Sequence, residues 1–135
     1  MPDRKVLLID DSRTDAFLME RALKKLDEPV TFRWISDAVE GLRELIDYAG
    51  DERDIIFMDI KMPKMTGLEI LADLDARGKL AKLRKINVLS SSALTKDMQA
   101  TLSYDNVAYF TKPEGYTALC QLLSTFLDQP NQEAA

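Results

Sequence analysis

The sequence predicts an α/β fold around a parallel sheet. Apolar runs of four to six residues rich in Val, Ile, Leu and Phe alternate with longer segments of helical period, the pattern of successive βα units. Charged residues stand at the ends of these runs: Asp10 and Asp11 follow Val6-Leu7-Leu8-Ile9, Asp59 follows Ile55-Ile56-Phe57-Met58, and Lys112 follows the run from Val107 to Phe110. If the runs are parallel strands of one sheet, these four groups meet at its carboxyl edge, where open α/β sheets bind ligands.

Five strand–helix pairs are legible. The strands are expected at about Lys5–Ile9, Val30–Ile35, Ile55–Met58, Ile86–Leu89 and Ala108–Phe110, and the second, being the least hydrophobic, suits an edge position. Ser12 or Thr14 caps a first helix carrying Ala16, Phe17, Met19, Ala22, Leu23 and Leu26, which Asp27-Glu28-Pro29 ends. Ser36 caps the second, with Ala38, Leu42, Leu45, Ile46 and Ala49 on its apolar stripe. Gly67 introduces the third, with Leu68, Ile70, Leu71 and Leu74, and Arg77-Gly78 closes it through a left-handed residue. The fourth, near Thr95–Tyr104, has only Met98 and Leu102 as a stripe and should be short. The fifth, Tyr116–Leu127, carries Ala118, Leu119, Leu122, Leu123, Phe126 and Leu127. Residues 1–127 form one domain, and 128–135 read as a flexible C-terminal tail.

Composition narrows the chemistry. With 135 residues the chain suits one domain of ordinary size. A formal net charge of −5 argues against direct nucleic-acid binding. No apolar stretch approaches the roughly 20 residues of a membrane span, and Met1-Pro2-Asp3-Arg4-Lys5 leads into a strand rather than a signal-peptide core, so a cytoplasmic protein is expected. The single Cys120 cannot form an internal disulfide. The absence of histidine excludes the usual zinc sites and the Ser-His and Cys-His nucleophile systems. Oxygen-ligand chemistry remains. Three clustered carboxylates repel one another unless a cation intervenes, and magnesium, which prefers a few carboxylate oxygens and bridges to phosphate, suits that role.

Over about residues 4–127 the chain resembles the receiver domain of two-component response regulators. The resemblance rests on Leu8-Ile9-Asp10-Asp11-Ser12, on Phe57-Met58-Asp59-Ile60-Lys61-Met62-Pro63-Lys64-Met65-Thr66-Gly67-Leu68-Glu69, on Val88-Leu89-Ser90-Ser91, and on Tyr109-Phe110-Thr111-Lys112-Pro113. The triple Ser90-Ser91-Ser92, with no output domain in the sequence, is most similar to stand-alone receivers paired with bacterial phytochromes.

The resemblance implies a flavodoxin-like, doubly wound five-stranded sheet of order 2-1-3-4-5 with five helices. It implies that Asp59 is the nucleophile toward a phosphohistidine on a sensor histidine kinase or His phosphotransfer protein. Asp11 and Asp59 would be direct ligands of Mg2+, or of Mn2+ in its place, with Asp10 acting through water and the Lys61 backbone carbonyl completing the protein's share. Lys112 would pair with the phosphoryl group, its approach fixed by a cis Lys112–Pro113 peptide, and Ser90 would donate a hydrogen bond to another phosphoryl oxygen. Tyr109 matches the aromatic switch that follows this hydroxyl, biasing a two-state surface of the fourth helix, fifth strand and fifth helix toward a downstream protein target. A homodimer through that face is compatible with the family pattern. Lys61 and Ser92 occupy positions that often modulate phosphate lifetime in the family.

Taken singly, each motif has a plainer reading: Asp10-Asp11-Ser12 as a helix cap, Asp59 as a turn residue, Lys112 as a solvated cation, Pro113 as a helix start. Their joint occurrence at one edge favours the receiver site. Trp34 and Cys120 read as packing residues, and Met58, Met62 and Met65 as gap fillers. Rival functions are weaker. A phosphorylation-independent binding module would not need Asp10, Asp11, Asp59, Ser90 and Lys112 together. A haloacid-dehalogenase-type phosphohydrolase wants a second aspartate where Lys61 stands, and a flavin carrier wants a phosphate-cradling loop after the first strand.

Overall fold

The computed structural model describes residues 4–26, 29–50, 53–83, 85–91 and 95–127. Its elements run β1 (Arg4–Ile9), α1 (Arg13–Lys25), β2 (Val30–Ile35), α2 (Ala38–Ile46), β3 (Ile55–Asp59), α3 (Gly67–Ala76), β4 (Ile86–Ser90), α4 (Thr95–Leu102), β5 (Val107–Thr111) and α5 (Tyr116–Leu127), with a 3-10 turn at Leu80–Lys82 before β4. The strands form one sheet in the order β2-β1-β3-β4-β5, all pairs parallel. The flavodoxin-like architecture expected from the sequence is therefore the observed one, with β2 at an edge.

Each central strand sends alternate side chains to two cores, as the period of two dictates. Leu7, Ile9, Ile56, Met58, Ile86 and Val88 face α2 and α3, where Leu42, Leu45, Ile70, Leu71 and Leu74 complete one core. Val6, Leu8, Ile55, Phe57 and Leu89 face α1 and α5, meeting Met19, Leu23, Leu119 and Leu123. Burial on both faces explains why β1 and β3 read as continuous apolar runs instead of alternating ones, while in β4 the buried Asn87 interrupts the run and donates from Nδ2 to the Ile56 carbonyl at 3.1 Å. The second core also holds Phe57 edge-on to Phe126 at 5.1 Å between ring centroids. Arg4, buried at the start of β1, donates from Nη1 to the carbonyls of Phe126 and Leu127 at 3.4 and 3.3 Å and so ties β1 to the carboxyl end of α5.

Local signals set the element ends, with some corrections. Ser12 caps α1, its Oγ accepting the Asp15 N–H at 3.1 Å. The cap of α2 is Asp37, not Ser36: the backbone stays extended through Asp37, whose carboxylate accepts the Glu40 N–H at 3.0 Å. Thr66 and Glu69 close a reciprocal capping box at α3, and Gly78 follows its C-cap at φ 71°. Helix α4 ends at Leu102, two residues short of the expected Tyr104. The 3-10 turn, a single short piece, has no periodic signal in the sequence. The expected tail, 128–135, and Asp27-Glu28 lie outside the described residues.

Candidate phosphoacceptor site

Register brings the charged residues together. Ile9 pairs with Met58, Asp59 with Leu89, and Ser90 with Thr111, so Asp10, Asp59, Ser90 and Lys112 follow or end neighbouring strands at the carboxyl edge. Carboxylate oxygens of Asp10, Asp11 and Asp59 all lie within 4.8 Å of one another. Asp10 and Asp59 are buried and Asp11 is exposed, which leaves the cluster a solvent-facing side.

Asp10 is held from several directions. Its Oδ1 accepts the Ser12 N–H at 2.9 Å and its Oδ2 lies 3.2 Å from the Lys112 ammonium. Its carbonyl accepts the Trp34 Nε1–H at 2.6 Å, so Trp34, expected as packing, also fixes the chain at the end of β1. Asp59 ends β3, and its loop returns through Lys64, a left-handed residue at φ 71°, to α3. The Gly67 N–H donates to the Ile60 carbonyl at 2.8 Å. A Cβ on Gly67 would stand 2.5 Å from the Asp59 carbonyl oxygen, so glycine here lets α3 approach the acceptor's backbone.

Lys112 is the cation of the site. Its Nζ is 2.6 Å from Asp15, 3.2 Å from Asp10 and 3.6 Å from Asp59, and its N–H donates to the Ser90 carbonyl at 2.8 Å. The Lys112–Pro113 peptide is trans, since no cis bond occurs among the described residues. This corrects the cis expectation: the ammonium reaches Asp10 and Asp59 from the isomer that an X–Pro bond intrinsically favours.

Burial governs the electrostatics. Desolvation pushes Asp10 up to about 6, against the lowering pull of the Ser12 N–H and the Lys112 charge, and the Asp59 charge adds to the rise. Desolvation raises Asp59 as well, opposed by Lys112 and the Ile60 N–H and reinforced by Asp11 and Asp15. Lys112 is raised although desolvation lowers it, because its hydrogen bond to Asp15 and the charges of Asp10 and Asp59 outweigh that cost. One ammonium facing Asp10, Asp15 and Asp59 leaves the edge short of positive charge. That deficit, with oxygen-only donors, fits a hard divalent ion.

Ser90 is buried at the end of β4, whereas Ser91, one residue beyond the strand, is exposed. Tyr109 is half-buried on β5, opposite Val88, and packs against the core shared with α2 and α3. Lys61 is exposed in the loop after β3. Ser92 lies outside the described residues. Asp15 is the member that sequence reasoning missed. Its only signal is position, one helical turn beyond Asp11 at the same edge, and an acid in a first helical turn ordinarily reads as a partner of the helix dipole.

The chain belongs to the family described as the response regulator receiver domain, whose pattern matches residues 6–124. It is 29% identical over 133 residues to the aerobic respiration control sensor protein ArcB of Escherichia coli, covering 98% of this chain but only 16% of that protein. It is 30% identical over 93 residues to the chemotaxis protein CheY of Listeria monocytogenes, covering 69% of this chain and 75% of that one. In fold it matches the crystal structure of the phosphorylated cyanobacterial phytochrome response regulator RcpA, with a TM-score of 0.77 at 23% identity, over 99% of this chain and 97% of the other. Family membership defines a phosphoacceptor module of two-component signalling rather than an ordinary enzyme. Receiver domains bind Mg2+ at an acidic pocket and work with histidine kinases and phosphotransfer proteins.

Proposed function

We propose that Asp59 accepts a phosphoryl group from a phosphohistidine and that the product switches a protein-binding surface. The observation that carries this reading is the placement of Asp59 at the sheet edge with two further carboxylates and the Lys112 ammonium 3.6 Å away. An Asp59 oxygen attacks phosphorus, the P–N bond to the donor's imidazole breaks, and the ring nitrogen keeps the electron pair. Lys112 offsets charge on the phosphoryl oxygens and Ser90 donates a hydrogen bond to one of them. Asp11 and Asp59 would hold Mg2+ directly, Asp10 through water, with the Lys61 carbonyl as a further ligand. The ion supplies charge neutralisation and alignment of the transferring group.

The same residues assist hydrolysis of the acyl phosphate, and Lys61 and Ser92 modulate the lifetime of that phosphate. Tyr109 follows Ser90, and the α4, β5 and α5 surface changes its preference between two arrangements. Met98 and Leu102 of α4 are large apolar side chains left exposed, 37% and 52%, on that surface, which supports contact with a downstream protein or a second copy of the chain. A site in the cytoplasm is consistent with the fact that no helix among the described residues is long and apolar enough to cross a membrane.

The test is intact mass after incubation with acetyl phosphate. Wild type should gain one phosphoryl group only with magnesium present, and Asp59→Asn should gain none. A folded, magnesium-binding wild type that accepts phosphate neither from acetyl phosphate nor from histidine kinases would favour a phosphorylation-independent binding module.

A further inference from the structure

Lys112 has a carboxylate partner that the chemistry above does not use. Its contact with Asp15, at 2.6 Å, is its closest at the edge, while Asp59 Oδ1, at 3.6 Å, lies beyond hydrogen-bond range. Asp15 is well fixed for this contact: it sits in the first turn of α1, where its own N–H is taken by the Ser12 cap. Beside the pair lies a cavity of about 90 Å³ whose wall includes Leu18, Met19, Leu89, Pro113 and Leu119. An ammonium finds no partner among those apolar side chains; it divides its hydrogen bonds between Asp15 and Asp10 and keeps only the longer approach to Asp59. Asp10 is a weaker rival, because it is 3.2 Å away and its other oxygen is engaged by Ser12.

We propose that Asp15 is a positioning residue that draws Lys112 away from the acceptor in the unmodified protein and so opposes phosphorylation of Asp59. The inference rests on the reading of Asp59 as acceptor. Two effects act in the same direction. Asp15 competes with the incoming phosphoryl oxygens for one ammonium, and as a like charge it repels the phosphoryl group across the same edge. Asp15 is 39% exposed at its side chain and Lys112 22%, so solvent screening keeps the effect modest.

The experiment measures the magnesium-dependent rate of phosphorylation by acetyl phosphate, and the affinity for beryllofluoride as an unreactive phosphoryl mimic. It compares wild type, Asp15→Asn, Asp15→Glu, Lys112→Met and the double variant Asp15→Asn/Lys112→Met. Asp15→Asn should react about two- to fivefold faster and bind beryllofluoride more tightly by a similar factor. Asp15→Glu, which keeps the charge, should gain less. The gain should shrink in the Lys112→Met background, an outcome that a purely structural role for Asp15 would not produce. An Asp15→Asn rate equal to or below wild type overturns the inference, and so does a gain undiminished without Lys112. A wild type that is not modified, or an Asp59→Asn that still is, identifies failure of the acceptor assignment instead, and the inference falls with it.

Discussion

A buried carboxylate needs a reason to stay charged, and at this edge Lys112 supplies only part of one. Asp10 and Asp59 remain raised although the ammonium lies beside both, so desolvation outweighs the pairing they have. These aspartates were legible in the sequence because each follows or ends an apolar run, where a carboxylate has no packing role. The ion pair of Asp15 was not legible, since it depends on where a side chain from another strand end comes to rest. The trans Lys112–Pro113 bond is the isomer that the residue pair by itself favours, and the cis expectation came from the family resemblance alone. Lys61 belongs to the same scale. Exposed in the loop after β3, its side chain is free to shield the acyl phosphate from in-line water, so Lys61→Asn should hydrolyse its phosphate about twofold faster or more, a difference of roughly half a kcal/mol. Decay followed by intact mass after removal of the donor checks this, and coincident rates would remove Lys61 from the account.

At the scale of elements, the site depends on how closely α3 can start behind Asp59. Gly67→Ala would force a methyl to within 2.5 Å of the Asp59 carbonyl oxygen, and backbone cannot yield as a side-chain tip can. The substitution should destabilise the fold by about 1–3 kcal/mol and slow phosphorylation. Urea denaturation and the acetyl phosphate reaction measure the two effects, and an alanine variant unchanged in both would contradict the geometry. Strands and long helices were readable because burial on both faces gives apolar runs and burial on one face gives a 3.6-residue stripe. The ends were less readable. Ser36 and Asp37 are both good caps, and only the backbone conformation at Asp37 decides between them. The thin stripe of α4 correctly announced a short helix, and Met98 and Leu102 are exposed because few apolar residues on it reach the core.

For the whole molecule, the site is a load on the fold that a bound cation relieves. The folded Asp10 titrates at about 6 against an ordinary 3.8, so between these values the folded state holds the proton more tightly than the unfolded state. Stability contributed by this group therefore falls as pH rises through that window, and the metal-free fold carries the full cost at neutral pH. Asp59, also raised, acts in the same direction. Magnesium should raise the melting temperature by about 3 °C or more near neutral pH and by much less at about pH 4.5. Thermal denaturation with magnesium or with a chelator measures this, and a shift independent of pH would place the ion elsewhere. A narrower expectation is that Asp59 is the residue modified. Its most direct test is to reduce the phosphorylated protein with borohydride, which converts an aspartyl phosphate to homoserine, and to locate the product by peptide mass mapping. Homoserine is expected at position 59, and conversion at Asp10, Asp11 or any other carboxylate would contradict Asp59 as the acceptor.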